Sequence, residues 1–245
     1  MSLIFGVNPV LEALRAGASR VDRIYLAEGA LSPRVAGELI SRAKDAGLRV
    51  DRVDRERLSR MAEGGVHQGV VAEVRELEYL ELPQLIEAAK GQSGPPLLVL
   101  LDGIQDPHNL GAIVRSAHAL GAHGVVLPKD RAVGVTPAAV KASAGAIAHT
   151  PMARVTNLSR ALEALKEAGF WSVAADPEGD RNLFDARLDG PLAVVVGAEG
   201  AGVRKGVLAH CDFRVRIPMM GQVASLNASV SAGIILYEIA RQRPR

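Results

Sequence analysis

Three short stretches of this chain gather groups that could handle a polar ligand, and each directly follows an apolar run. Asn109, Gly111 and Arg115 come after residues 97–101; Gly197, Glu199, Gly200 and Gly202 come after 192–196; Pro218, Gly221, Ser225, Leu226 and Asn227 come after 213–217. An arginine can hold an anion, a carboxylate can orient a cation or a proton donor, and Ser and Asn supply hydroxyl and amide hydrogen bonds. Glycine lets the backbone itself approach a ligand. Taken singly, each has an everyday explanation: Ser225 and Asn227 suit the start of a helix, Glu199 suits a helix N-terminus, and Arg115 suits an exposed helical face. Taken together, polar turns behind three buried strands are what a site at the carboxyl edge of a parallel sheet requires.

Several common chemistries lack their signature. The turn 197–202 reads G-x-E-G-x-G, which is not the spacing of a dinucleotide fingerprint, and a carboxylate stands where a pyrophosphate would approach. Neither G-x-x-x-x-G-K-[ST] nor G-x-S-x-G occurs, which argues against a P-loop and a serine hydrolase. His67, His108, His118, His123, His149 and His210 form no i, i+4 pair, and Cys211 is the one cysteine, so no metal site and no intrachain disulfide are expected. A lone cysteine fits the cytosol. No apolar run approaches the roughly 18 residues of a membrane span, so no membrane partner is expected, and the opening MSLIFGVNPV does not read as a targeting segment.

The elements that must position the three turns alternate along the chain. Asn8 as a helix cap and Pro9 at the first helical position open a helix that stops at Gly17. A strand over 21–26, a helix from Pro33 to the stop at Gly47, strand 48–53, a short helix 55–62 and strand 70–74 follow, an αβαβαβ unit of about 75 residues that could fold alone. Acids mixed with Leu and Tyr, a short helix over 83–90 and the turn cluster 91–96 mark a linker at 76–96. From 97 onward, strand, loop and helix alternate to the end, with strands at 97–101, 124–127, 152–155, 170–174, 192–196 and 213–217. That alternation predicts an α/β fold with a doubly wound parallel sheet. The last helix is apolar nearly all round and rich in small residues (Ala224, Ala228, Ser229, Ala232, Gly233), which predicts burial or close approach to another backbone.

At 245 residues and 48% apolar composition the chain has a real core, and its net charge of +2 permits an anionic partner without demanding one. The charge is uneven. Arg15, Arg20, Arg23, Arg34, Arg42, Lys44, Arg49, Arg52, Arg55, Arg57 and Arg60 crowd the first quarter, either as a nucleic-acid face or as a solvated helix surface with interspersed acids.

The types, order and spacing of the three turns resemble the signature motifs of the SpoU, or TrmH, class of RNA 2'-O-ribose methyltransferases in the SPOUT superfamily. The first reads DPHNLGAIVRSA (106–117), the second VVGAEGAGV (195–203) and the third RIPMMGQVASLNASVSAG (216–233). The likeness runs through FGVNPVLEAL at 5–14, GGVHQGVVA at 64–72 and VLPKD at 126–130, which resemble the RlmB-type branch that methylates a guanosine of 23S ribosomal RNA.

The resemblance implies a C-terminal SPOUT α/β domain (97–245) tied in a deep trefoil knot, preceded by a small L30e-like αβ RNA-binding domain (1–75). It implies S-adenosylmethionine as methyl donor, held largely by main-chain groups at Gly197, Ile217 and Leu226, with no metal. The reaction would be direct displacement by a ribose 2'-hydroxyl oxygen on the sulfonium methyl. Arg115 is then the family candidate for drawing off the hydroxyl proton. A guanidinium stays protonated in proteins, so holding the phosphate beside the target ribose is the physically easier role. Asn109, Glu199, Ser225 and Asn227 would orient Arg115 and the RNA. The implied partners are 23S ribosomal RNA and a second copy in a homodimer whose sites draw on both subunits. The competing readings are a tRNA guanosine 2'-O-methyltransferase, a non-catalytic RNA-binding ribosome-assembly factor that keeps the fold, and a dinucleotide-binding oxidoreductase.

Overall fold

A computed structural model describes residues 2–17, 21–74, 78–222 and 225–243. The chain divides into two compact units, Met1–Leu77 and Glu78–Arg245.

The first unit contains β1 (Ser2–Phe5), α1 (Val7–Gly17), β2 (Val21–Ala27), α2 (Pro33–Asp45), β3 (Arg49–Val53), α3 (Arg55–Met61) and β4 (Val70–Val74). Its sheet has the order β1-β4-β2-β3, with β2 and β3 parallel and β4 antiparallel to β1 and β2. Period-2 alternation leaves Val10, Leu11, Leu14, Leu39 and Ala43 of α1 and α2 against Ile24, Leu26, Val70 and Ala72 on one face. Leu58 of α3 meets Tyr25, Ala27 and Val71 on the other. The Ser32 hydroxyl accepts the Val35 amide and the Asp54 carboxylate accepts that of Arg57, as helix-starting residues do.

Two expectations for this unit change. It begins with a strand, because the four residues SLIF pair with β4 at the far end of the unit, a contact no local pattern announces. Helix α1 starts at Val7, so Asn8 and Pro9 lie inside its first turn. Part of the basic crowding is neutralised locally: Arg15 pairs with Glu12 and Glu38, Arg42 with Glu38, and Arg23 with Asp51. Arg20 lies outside the described residues.

The second unit comprises α4 (Leu82–Lys90), β5 (Leu97–Asp102), α5 (Pro107–Ala119), β6 (Gly124–Pro128), α6 (Pro137–Ala142), β7 (Met152–Val155), α7 (Leu158–Glu167), β8 (Trp171–Ala175), β9 (Arg181–Asn182), β10 (Leu192–Gly197), α8 (Lys205–Leu208), β11 (Phe213–Arg216) and α9 (Ala228–Gln242). Seven parallel strands lie in the order β7-β6-β5-β10-β8-β11-β9. From β5 the chain builds outward to β7, crosses to β8, and then inserts β10 between β5 and β8. Every residue of β5, β6 and β10 is buried, as strands covered on both faces require. The short β9 and α6 had no sequence signal long enough to read.

The segment expected to be a linker is largely part of this unit. Leu80 bridges to Ala153, and Leu85, Ile86 and Ala89 of α4 are buried with Leu98, Leu100, Val126 and Ala153. Three apolar residues at helical spacing cover the sheet, while the surrounding acids gave the segment the composition of a connector. Helix α9 also departs from a uniformly buried helix: Ala232, Ile235, Leu236 and Ile239 face the core, whereas Val230 and Tyr237 are exposed. No helix among the described residues is long and apolar enough to cross a membrane.

Beyond α9, Arg243 closes the amino-terminal edge of the sheet, donating to the carbonyls of Pro95 (2.8 Å) and Gly190 (2.6 Å). Nearby, His123 Nδ1 accepts the Leu97 amide at 3.0 Å. Burial, and next the charge of Arg243, push the His123 pKa below its usual value. The folded state therefore favours neutral His123, while the unfolded chain takes up the proton near pH 6.5. This contribution to stability is complete above that pH and is lost as pH falls through it, because the unfolded state binds more protons. The melting temperature should drop between pH 7.5 and 5.5, and His123→Asn, which keeps an acceptor but cannot titrate, should reduce that drop.

Candidate active site

At the carboxyl ends of the neighbouring strands β10, β8 and β11 the loops enclose a cleft of about 880 Å3. One wall is the backbone of residues 197–203, a second is 175–178, and a third is Ile217, Met219, Ser225 and Leu226 with the first turn of α9.

The first wall is shaped by the absence of a side chain. A Cβ on Gly197 would collide with the carbonyl of Gly202 and the amide of Val203. The loop folds back on itself, Gly202 N–H donating to Ala198 O at 2.8 Å, with Gly200 (φ +78°) and Gly202 (φ +64°) in the left-handed region. Its far end is pinned by a buried carboxylate. Asp102, the last residue of β5 and the register partner of Gly197, accepts Arg204 N–H (2.8 Å) and Nε (2.7 Å) and lies 2.6 Å from Arg204 Nη2. The Asp102 side chain is fully buried, and hydrogen bonding to it raises the Arg204 pKa.

The second and third motif turns meet through one side-chain bond. Asn227 Nδ2 donates to Glu199 Oε2 at 2.9 Å. The same amide caps α9, its Oδ1 accepting the Ser229 amide (2.9 Å) and hydroxyl (2.6 Å). The capping role considered for Asn227 is thus filled, and capping fixes the amide plane that presents Nδ2 to the carboxylate. Ser225, two residues earlier, is exposed at the cleft.

Of the residues singled out by sequence, Gly197, Glu199, Ile217, Ser225 and Leu226 line the cleft, and Asn227 joins them through Glu199. Asn109 and Arg115 do not line it. They lie on α5, which starts at Pro107 behind an Asp106 cap that accepts the His108 and Asn109 amides. Arg115 is exposed and has no hydrogen bond or ion pair among the described residues. Sequence reasoning missed Asp102, Arg204 and the wall 175–178. Asp102 did carry a signal, as the one charged residue ending the buried run LLVLLD; Arg204 and the loop 175–178 carried none.

Chemically, the cleft combines apolar surface from Val196, Leu208, Ile217 and Leu226 with exposed main-chain groups, the carboxylates of Glu178 and Glu199, the cation of Lys205, and Asp176 paired with Arg214 at 3.3 Å. Apolar walls and backbone donors and acceptors fit a purine, and carboxylates fit a cationic sulfonium or ammonium group. Its volume suits a ligand of nucleoside size. Among the described residues no group of three or more His, Cys, Asp or Glu is placed to hold a metal. Cys211 is an unsuitable nucleophile: burial, then the nearby charge of Asp212, pushes its thiol up to about 12.

Two substitutions test this construction. Gly197→Ala should weaken binding of S-adenosylmethionine, the ligand that the sequence resemblance implies, by about tenfold or more in calorimetry, while Gly190→Ala, where an added Cβ meets nothing within 4 Å, should leave it unchanged. Arg204→Ala should cost about 3 kcal/mol in denaturant unfolding, because it leaves a buried carboxylate with the backbone N–H of residue 204 and no counterion.

Comparison with known proteins identifies the family. The model of the SpoU rRNA methylase family matches residues 96–237, and that of the RNA 2'-O ribose methyltransferase substrate-binding domain matches 3–80. The chain is 45% identical to a putative TrmH family tRNA/rRNA methyltransferase, YacO, of Bacillus subtilis, covering 98% of this chain and 95% of that protein. It is 43% identical, with the same coverage, to the 23S rRNA (guanosine-2'-O-)-methyltransferase RlmB of Pseudomonas syringae. The SpoU methyltransferase AviRb of Streptomyces viridochromogenes, solved in complex with AdoMet, superposes with a TM-score of 0.67 at 30% identity, covering 98% of this chain and 89% of that one. The chain therefore belongs to the SpoU rRNA methylase family, whose methyl donor is S-adenosylmethionine.

Proposed function

We propose that this protein methylates the ribose 2'-hydroxyl of a guanosine in 23S ribosomal RNA. The observation that carries the reading is a cleft lined by both the second and the third motif turns and locked by the Glu199–Asn227 bond. Near-complete coverage of a relative named for that reaction supports the choice of RNA.

When bound, S-adenosylmethionine supplies an activated methyl group. The chain's own residues do the rest. Gly197, Ile217 and Leu226 hold the donor against the walls, Glu199 is held in one orientation by Asn227, and Ser225 offers a hydroxyl at the rim. Arg115 holds the phosphate beside the target ribose, and Asn109 positions that segment.

Because Arg115 does not line the cleft of its own chain, we assign it to the cleft of a second copy. Val230 and Tyr237, exposed one face apart from the buried stripe of α9, offer apolar surface for an isologous dimer. A trefoil knot is part of the same reading, supported by the late insertion of β10 between β5 and β8 and by α9 being tied back to the β10 loop. The first unit, with helices on both faces of a four-stranded sheet, is taken as an L30e-like RNA-binding domain, and the whole as a cytoplasmic enzyme.

Transfer of tritiated methyl groups to 23S transcripts and to tRNA, with mapping of the modified ribose, tests the assignment. Label on a guanosine 2'-oxygen of 23S RNA is expected; label confined to tRNA, or none, refutes it. Arg115→Ala should lower kcat by about a hundredfold or more with donor affinity intact. Mixing Arg115→Ala with Gly197→Ala subunits should restore activity, since one of the two shared sites is then whole; failure to recover places Arg115 with its own subunit's cleft.

A further inference from the structure

The carboxyl edge of the large sheet carries a second feature beyond the cleft. The loop after β6, residues 129–136, lies past β5 on the same edge, two strand spacings or about 10 Å from β10. Lys129 N–H donates to Val155 O (2.8 Å), and Val133 N–H donates to Ile104 O (2.9 Å), in the turn that leads to Asn109. The loop is thus fastened to the first motif turn.

Three cations lie on or against this loop. Lys129 and Arg131 are exposed, and Arg154 is half-buried on β7, opposite Leu127 of β6. Arg154 lies over the Tyr79 ring at 5.1 Å and donates from Nη2 to Lys129 O at 3.4 Å, while its buried Nε has no partner. None of the three forms an ion pair among the described residues, and Asp130 is the sole acid of the loop. Arg131 holds φ +58°, a left-handed conformation that non-glycine residues rarely adopt and that tends to persist where a side chain must be aimed.

A half-buried guanidinium set over a ring and without a counterion suits a phosphate, and the two exposed cations of the adjoining loop extend the match along a chain of phosphates. We propose that Lys129, Arg131 and Arg154 form a track for the substrate RNA backbone, holding phosphates of the strand that flanks the target nucleotide. The proposal rests on the functional reading above, and its test separates the two.

Binding of tiled 23S rRNA transcripts would be measured against salt concentration for the full-length protein, for Lys129→Ala/Arg131→Gly, and for the triple variant with Arg154→Ala. The exposed pair should leave folding intact, and glycine accepts the backbone of position 131. The triple variant is expected to bind RNA about tenfold or more weakly, and the slope of log affinity against log salt should fall by about two. The double variant should lie between, with S-adenosylmethionine affinity and melting temperature unchanged for it. RNA affinity and salt slope equal to those of the unaltered protein overturn the track, as does absence of salt-dependent RNA binding by the unaltered protein. Variant-sensitive RNA binding without methyl transfer would uphold the track and refute the enzyme.

Discussion

The architecture of the cleft depends on one buried carboxylate. Asp102 ends a strand with no other polar side chain, and it is satisfied by the backbone and guanidinium of Arg204, across the full length of the loop 197–203. Charge removed from water this completely must be paired, so the loop has one place to end. Gly197 sets the other constraint, because its bare Cα lets the returning strand of the loop lie against it. Between a fixed start and a fixed end, the loop presents backbone rather than side chains to the cleft.

That wall is then joined to the third motif by Asn227. An amide that caps a fifteen-residue helix is rigid on one side, and the bond to Glu199 transfers the rigidity to the opposite loop. A reaction needing little beyond placement of a nucleophile against an activated methyl gains from such preorganisation, since misplacement by about 1 Å can cost a hundredfold in rate.

How far the sequence was legible follows from where the determining contacts lie. The parallel strands showed as runs such as LAVVVG because burial on both faces leaves no alternation, and the second and third motif turns showed as Gly and polar residues behind them. Helix α4 was read as a helix but placed in a linker, because its role is set by which sheet face lies open, and β1 was not read because its partner is some seventy positions away. The Asp102–Arg204 pair spans a hundred residues and leaves only half of a signal at its first member.

By itself, then, the amino-acid order determined the class of fold, the strands that carry the site, and through its motifs the family and chemistry. These are local quantities, written in hydrophobic period, turn residues and short spacings. The tertiary structure alone decided that Glu199 and Asn227 bond, that Gly197 has no room for a methyl group, and that Arg115 is not among the residues lining the cleft of its own chain. Each of those depends on distances between segments far apart in sequence, which strand order and packing settle and which no window along the chain contains.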